Sequence, residues 1–175
     1  TQVTDANGFA TSYTYDLMGR LTSISYPMGD SPAWSTTTQA FEPVAATEYG
    51  IPAGHWRQTV ATGNARKIAY FDALWRPLVT REYDTANETA TQRFTRQAFD
   101  HEGRVTFASY PSIVHNPVTG VRTAYDALSR PTLVTQDSEL GMLTTRTEYL
   151  AGFKTRTTNP RGKQSVASYM AFDQP

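Results

Sequence analysis

The sequence contains no cysteine among its 175 residues, which excludes a disulfide framework and any thiolate metal site. It also has no excess of charge, since 16 lysines and arginines balance 16 aspartates and glutamates. A nucleic acid or an anionic membrane as the main partner would require a basic surface, so we expect neither. No apolar run approaches the roughly 18 residues of a membrane span, and the N-terminus lacks the basic and apolar regions of a signal peptide.

Motifs of the common catalytic and cofactor sites are missing as well. The sequence has no Gly-x-Ser-x-Gly, phosphate-binding or dinucleotide-binding motif. His55, His101 and His115 stand singly in three separate predicted loops, whereas a metal centre needs several converging ligands. We interpret all three as histidines of surface loops. The sequence therefore predicts that the protein is not an enzyme and has no catalytic residue, no cofactor and no metal site.

One short phrase occurs four times. It consists of an aromatic residue, an aspartate, two variable residues, a glycine or its substitute, and an arginine. The aspartate and the arginine always stand four residues apart. A phrase that recurs in this way is typical of repeat proteins. Its shared positions are Tyr15, Asp16, Gly19 and Arg20; Phe71, Asp72 and Arg76; Phe99, Asp100, Gly103 and Arg104; and Tyr125, Asp126 and Arg130.

We interpret the phrase as the turn of a β-hairpin. The residues ahead of it alternate, with Tyr13 and Tyr15 on one face of a predicted strand. Gly19 and Gly103 stand where a short loop requires a positive φ. An aspartate at this place can accept hydrogen bonds from the turn backbone, and the arginine lies near it across the turn. We therefore expect the pair to set the register of the hairpin rather than to catalyse a reaction.

The spacing of the phrases predicts an all-β fold: a strip of consecutive antiparallel β-hairpins that forms a single repeat segment over residues 1–175. Units of 22 to 34 residues are too small to bury their own apolar faces and must stack on their neighbours. No stretch has the 3.6-residue apolar spacing of a substantial helix, so we expect almost no helix. Clear repeats are predicted at 11–27, 66–83, 93–110 and 121–136, and degenerate repeats at 44–60 and 144–163.

Some turns carry more specific signals. Residues 4–8 are predicted to form one turn, because their Asn-Gly pair at 7–8 is a strong signal for a short hairpin, and the Gly-Asn pair at 63–64 is its counterpart. Where Trp75 and Ser129 replace the turn glycine, the next strand opens with Arg-Pro. Because proline cannot donate to the ladder, we expect those strands to begin at a bulge or with the proline outside the ladder. The aromatic-Asp pair at 172–173 predicts that the chain stops inside the next repeat, at 172–175.

The phrase aromatic-Asp-x-x-Gly-Arg-Leu/Val-Thr resembles the YD repeat of the Rhs (rearrangement hot spot) proteins. Residues 15–22 and 99–106 match that repeat most closely. Residues 5–8 and 159–162 resemble the turn that the family places between its phrases. The resemblance covers nearly the whole chain and is weakest over 28–65.

The resemblance implies a fold and a function. In this family the hairpins join into one strip of antiparallel sheet, which spirals into a hollow shell. In bacterial polymorphic toxins and insecticidal toxin complexes the shell encloses a C-terminal toxin until delivery, and teneurins are animal relatives. The chain would then be a structural fragment of such a shell, within a larger secreted or cell-surface bacterial protein. Its partners would be the rest of the parent Rhs protein and the enclosed toxin.

The aromatic residues leave a second function open. If exposed, they would make stacking platforms in a cell-surface carbohydrate- or protein-binding module. At strand-like spacing they more often pack between adjacent hairpins, and we favour that interpretation. The residues concerned are Tyr13, Tyr15, Tyr26, Trp34, Tyr49, Trp56, Tyr70, Phe71 and Trp75.

The predicted terminal strands, near 2–5 and 165–172, bear on self-association. The edge strand of a sheet presents unpaired N–H and C=O groups that can pair with another chain. Both segments carry few charges that would discourage such pairing. We therefore expect self-association through the edge strands at high concentration.

Overall fold

The structure is a computed structural model that describes residues 1–29 and 33–170. These residues form fourteen β-strands and one short helix, so the predicted all-β fold class is confirmed. The predicted repeat start at 172–175 lies outside the described residues. The strands are β1 Gln2–Thr4, β2 Ala10–Tyr15, β3 Leu21–Ser25, β4 Thr37–Val44, β5 His55–Thr62, β6 Ala65–Phe71, β7 Pro77–Asp84, β8 Arg93–Phe99, β9 Val105–Ser109, β10 Gly120–Tyr125, β11 Pro131–Ser138, β12 Gly141–Leu150, β13 Lys154–Thr158 and β14 Gln164–Ser168, and the helix α1 is Glu88–Thr91.

The chain divides into two compact units, each of which is an antiparallel meander. Unit 1 comprises Thr1–Thr95 and Pro111–Asn116, and unit 2 comprises Arg96–Tyr110 and Pro117–Pro175. The chain passes from one unit to the other within β8. Inside each unit a strand pairs with the strands that precede and follow it in sequence, as expected for consecutive hairpins.

Unit 1 holds the buried apolar core of the described residues. Ile68 and Tyr70 of β6 pack with Val79 of β7, because alternate residues of neighbouring strands face the same side of a sheet. Ile51 from the loop after β4 and Phe94 from β8 complete this cluster. Burial raises the pKa of the Tyr70 hydroxyl. In the described part of unit 2 the phrase residues are at most half-buried, so its strands depend more on contacts between neighbouring hairpins.

Each of the four phrases forms a hairpin turn of the same geometry. In the first, the Gly19 amide donates to the Asp16 carbonyl (3.0 Å) and the Asp16 amide donates to the Arg20 carbonyl (2.9 Å). Gly19 has a φ of 76° and Gly103 a φ of 83°, so both are in the left-handed region. A turn closed by a left-handed residue and followed by a bulge matches the right-handed twist of the flanking strands.

The bulge is present in all four turns, whether or not a proline follows the arginine. The register shifts at the end of β2, β6, β8 and β10, immediately before the turn. Pro77 pairs with Phe71 and Pro131 with Tyr125 at these shifts. The bulge therefore belongs to the turn itself, and proline is tolerated because the ladder is already interrupted there.

Trp75 and Ser129 adopt the left-handed conformation that glycine adopts elsewhere, with φ values of 63° and 61°. Such a conformation costs a non-glycine residue on the order of 1–3 kcal/mol. Ring contacts offset this cost at Trp75, whose ring stacks on Phe41 with a centroid distance of 5.2 Å and lies tilted against Trp56 at 5.3 Å. The Ser129 hydroxyl accepts a hydrogen bond from Arg104 Nη1 (3.2 Å). Each substitute thus makes a contact that glycine could not make.

Three other loops lack the complete phrase. The predicted turn around the pair at 7–8 is present between β1 and β2, and only Gly8 of the pair has a positive φ (85°), so the turn is not of type I′, which requires two such residues. Over 44–60 no aspartate turn forms; instead Tyr49 and Gly50 (φ 50° and 78°) make a tight reversal between Glu48 and Ile51. The loop after β7 contains the four-residue helix α1, with Asn87 as its N-cap.

Replacing Gly103 by valine should test the demand for a positive φ. A β-branched residue resists that conformation, so we expect a loss of about 1–3 kcal/mol in the free energy of unfolding. His101→Val is the matched control, because His101 lies in the same turn without a positive φ and should change stability by less than about 0.5 kcal/mol. Urea denaturation would measure both, and equal stabilities would contradict the backbone assignment of Gly103.

Candidate functional site

The aspartate of each phrase organises its turn with both carboxylate oxygens. Asp126 Oδ1 accepts hydrogen bonds from the amides of Leu128 (2.9 Å) and Arg130 (3.0 Å). Asp126 Oδ2 accepts from Arg130 Nε (2.8 Å). One side chain therefore satisfies two turn amides and anchors the arginine. The same three bonds, all between 2.6 and 3.0 Å, recur at Asp16, Asp72 and Asp100.

These hydrogen bonds stabilise the ionised carboxylates. At Asp126 the side-chain and backbone hydrogen bonds from Arg130 lower the carboxyl pKa below its usual range. At Asp16 the backbone hydrogen bond from Arg20 is the main cause of a lowered pKa. At Asp72 and Asp100 burial raises the pKa, but hydrogen bonds from the arginine of the same turn outweigh it, and the pKa is again lowered.

Two further turns have this geometry without the aromatic residue or the arginine. Asp5 Oδ1 accepts from the amides of Asn7 and Phe9, both at 2.9 Å. Asn159 Oδ1 accepts from the amides of Arg161 (3.0 Å) and Lys163 (2.9 Å). Asparagine can replace aspartate here because an amide oxygen is also a hydrogen-bond acceptor. Both turns were predicted from the sequence, and they share an Asp or Asn that stands three residues before a glycine.

The arginine of the phrase contacts the next hairpin as well as its own turn. In unit 2 the Arg104 guanidinium lies over the ring of Tyr125 at 4.8 Å, and that of Arg130 over Tyr149 at 4.0 Å. In unit 1 the Arg20 guanidinium lies 5.0 Å from the ring of Phe41. A cation over an aromatic face is attracted by the ring quadrupole and is worth about 0.5–1 kcal/mol at an exposed site.

The tyrosine of the next hairpin makes a hydrogen bond back to the preceding hairpin. The Tyr125 hydroxyl donates to the backbone carbonyl of Val105 (3.0 Å), the residue that follows Arg104. The Tyr149 hydroxyl donates to the carbonyl of Pro131 (3.1 Å), which follows Arg130. Each pair of hairpins in this part of unit 2 is therefore joined by one guanidinium–aromatic stack and one hydroxyl–carbonyl hydrogen bond. We call this pair of interactions the hairpin contact.

The hairpin contact gives each phrase residue a separate role. The aromatic residue binds the preceding hairpin, the aspartate forms the turn, and the arginine binds the following hairpin. The sequence pointed to the arginine as part of its own turn but did not reveal its second contact. Nor did it assign a partner to Tyr149, because this residue lies in the degenerate repeat at 144–163, where the phrase has lost its aspartate and arginine.

Unit 1 replaces part of this arrangement by an aromatic cluster. The rings of Phe41 and Trp56 stack at 5.0 Å with an angle of 9° between their planes. Trp75 stacks on Phe41 and lies tilted against Trp56, and Phe71 meets Phe41 edge to face at 6.1 Å. These contacts support the interpretation of the repeat aromatics as packing between hairpins, although Trp75 remains 54% exposed.

The interpretation of His55 as a surface-loop residue is wrong. His55 is the first residue of β5 and is only 4% exposed. Its Nδ1 lies 2.9 Å from the Pro52 carbonyl and its Nε2 lies 3.3 Å from a Glu48 carboxylate oxygen. The other Glu48 oxygen accepts from Arg57 Nη1 at 2.8 Å, so these side chains tie the loop after β4 to β5. His101 is exposed, as predicted, and His115 lies against the ring of Tyr49.

Two open clefts beside the phrase turns are each lined in part by the aspartate and the arginine of the turn. One cleft of about 330 Å³ lies beside the Asp16–Arg20 pair, and another of about 440 Å³ beside the Asp126–Arg130 pair. Within the ranges 1–29 and 33–170, no group of three or more His, Cys, Asp and Glu side chains is arranged to hold a metal ion. In the same ranges, no helix has the length and apolar character needed to cross a membrane.

One family model matches part of the chain. Residues 1–31, which contain the first phrase and its turn, match the family model described as RHS Repeat. No match to the chain was found among curated proteins.

The lowered pKa of the phrase aspartates predicts a loss of stability in acid. The stabilising contribution is fully present above the ordinary carboxyl pKa of about 3.9 and is lost as the pH falls through the lower folded-state value. Asp126→Asn should therefore be less stable than the parent at pH 7, and the difference should shrink as the pH falls below the ordinary carboxyl pKa. Glu139→Gln, at an exposed position, is the control. Thermal unfolding measured from pH 7 to pH 2 gives the difference in stability between Asp126→Asn and the parent. A difference that does not change with pH would contradict this account.

The hairpin contact predicts energetic coupling between Arg130 and Tyr149. A double-mutant cycle with Arg130→Gln and Tyr149→Leu should give about 0.5–1 kcal/mol of coupling, because the guanidinium is partly exposed. The control is a second cycle that uses Arg161→Gln in place of Arg130→Gln. Its effect on stability should be additive with that of Tyr149→Leu. Additivity of Arg130→Gln with Tyr149→Leu would show that the stack contributes nothing to stability.

Proposed function

We propose that the chain forms part of the wall of a β-sheet shell that encloses and helps deliver the C-terminal toxin of a bacterial polymorphic toxin. The match of residues 1–31 to the RHS Repeat family and the recurrence of the phrase along the chain support this proposal. Its partners are then the rest of the parent protein and the enclosed toxin. The location that follows is outside the producing cell or on its surface, as part of that larger protein.

The observation that carries this proposal is the hairpin contact. Because each hairpin both receives a contact from the preceding hairpin and provides one to the next, hairpins can be added without changing the ones already present. Such nearest-neighbour stabilisation is the property of repeat proteins that lets them cover large surfaces. A wall around a folded protein needs this kind of extension in one direction.

The extent of uncovered surface supports a role within a larger assembly. Large apolar side chains are exposed in the described parts of both units, among them Leu17, Met28, Leu140 and Met170, each at least 75% exposed. Exposed apolar surface of this extent is typical of a protein that is covered by other chains or segments.

We assign the phrase aspartates a structural role and no catalytic one. Both oxygens of each carboxylate are engaged in its own turn, and the lowered pKa keeps the group ionised at neutral pH. A general acid would instead need a raised pKa. Substitution of these aspartates by asparagine accordingly changes stability and removes no activity.

The shell proposal is tested on the full polypeptide that carries this chain. Cryo-electron microscopy should show a hollow β-sheet wall with protein density inside, and limited proteolysis should leave the enclosed toxin intact. The double variant Arg104→Gln, Tyr125→Ala removes one hairpin contact and should expose the toxin to protease, whereas Arg161→Gln should not. A toxin that lies outside the sheet and is cleaved equally in all three proteins would contradict the proposal.

The alternative, a cell-surface carbohydrate- or protein-binding module, is favoured by the exposure of Trp34 (59%) and Trp75 (54%). Half-exposed tryptophan rings are suitable for stacking on a sugar. A glycan array probed with the parent chain and with Trp34→Ala would distinguish the two functions. Binding that is lost in the variant would support the module.

A further inference from the structure

The first phrase differs from the others in the exposure of its aromatic residue. Tyr15 ends β2 and is 50% exposed. Phe71, Phe99 and Tyr125, at the same place in the other phrases, are more deeply buried. Among the described residues, no guanidinium lies over the Tyr15 ring, and its hydroxyl has no hydrogen-bond partner. Tyr15 thus has the chemistry of the hairpin contact without its partner.

The hairpin contacts of unit 2 define what that partner must be. The side chain over Tyr125 is an arginine, and the acceptor of the hydroxyl is the carbonyl of the next residue, Val105. The side chain over Tyr149 is again an arginine, followed by an acceptor at Pro131. Both arginines directly precede the strand that pairs with the strand carrying the tyrosine.

The register of β1 and β2 locates the missing residues. Gln2 pairs with Ser12, and Thr1 and Tyr13 exchange two backbone hydrogen bonds, of 2.9 and 2.7 Å. In an antiparallel pair the opposite residue moves back by one for each step forward. The position opposite Tyr15 therefore lies two residues before Thr1 in the sequence. In unit 2 the corresponding count, from Arg122 opposite Phe107, places Arg104 opposite Tyr125.

We propose that Tyr15 and the open edge of β2 form the docking position for an arginine-bearing strand of the same polypeptide, which continues β1 ahead of Thr1. Its arginine lies two residues before Thr1 and stacks on the Tyr15 ring. The carbonyl of the residue in between accepts the hydrogen bond from the Tyr15 hydroxyl. The inference rests on the proposed function, because it identifies one neighbour of this part of the wall as another hairpin of the same type.

A second copy of the chain does not fit this position. The partner arginine must begin a strand whose side next to β2 is open. In this chain the phrase arginines directly precede strands that already pair on both sides: Arg20 precedes β3, Arg76 β7, Arg104 β9 and Arg130 β11. The strand must therefore come from a segment with one free side, which a continuation of β1 has.

The test is to add the residues Gly-Arg-Leu ahead of Thr1 and to compare this protein with one that carries Gly-Ala-Leu. The arginine then stands opposite Tyr15. We expect the arginine extension to melt about 2–4 °C above the alanine extension, the shift that one stabilising contact gives in a chain of this size. Equal melting temperatures would overturn the proposal.

Variants of the tyrosine identify the contact. In the arginine extension, Tyr15→Phe should keep most of the gain over alanine, because the ring remains, and Tyr15→Leu should abolish it. Tyr125→Leu is the control and should leave the gain unchanged. A gain that survives Tyr15→Leu would overturn the proposal, since it would come from elsewhere. The result is independent of toxin enclosure, so a failure here and a failure of the shell experiment are distinguishable.

Discussion

The carboxylate of the turn aspartate is the group on which the rest of the structure depends. A hairpin turn leaves backbone amides that cannot enter the ladder, and a buried or half-buried amide without an acceptor is costly. One Asp oxygen satisfies two of these amides in each phrase, and the other oxygen fixes the guanidinium. Because the guanidinium is fixed, it can meet the aromatic ring of the following hairpin without losing further side-chain freedom.

The stability of the strip thus arises from short-range contacts. Unit 1 adds a core around Tyr70 and Val79. The buried His55 of β5 and the half-buried Glu48 support it by fixing the loop that lacks the aspartate turn. Unit 2 has the regular phrases and the hairpin contact in place of such a core. In both units a strand is stabilised by its sequence neighbours, which is why degenerate phrases are tolerated where other side chains supply the contact.

Much of this arrangement was predictable from local sequence. The all-β class and the hairpin turns followed from the alternation and from the glycine at positions such as Gly19, because those signals act within a few residues. The conformation of Trp75 was not predictable, since its cost is offset by rings of Phe41 and Trp56 far away in sequence. The burial of His55 and the pairing of Arg130 with Tyr149 were missed for the same reason: they depend on the register between strands, which no single phrase contains.

The hairpin contact has a consequence for the order in which the chain can fold. Each contact joins segments about twenty residues apart, so closing it needs only a small loop and can occur within microseconds to milliseconds of the partner hairpin forming. A hairpin that leaves a ribosome or a secretion pore can therefore dock on the one before it while the remainder is still unfolded. A strip built in this way can be threaded through a narrow channel and rebuilt on the far side one hairpin at a time, with no step that waits for the distant end of the chain.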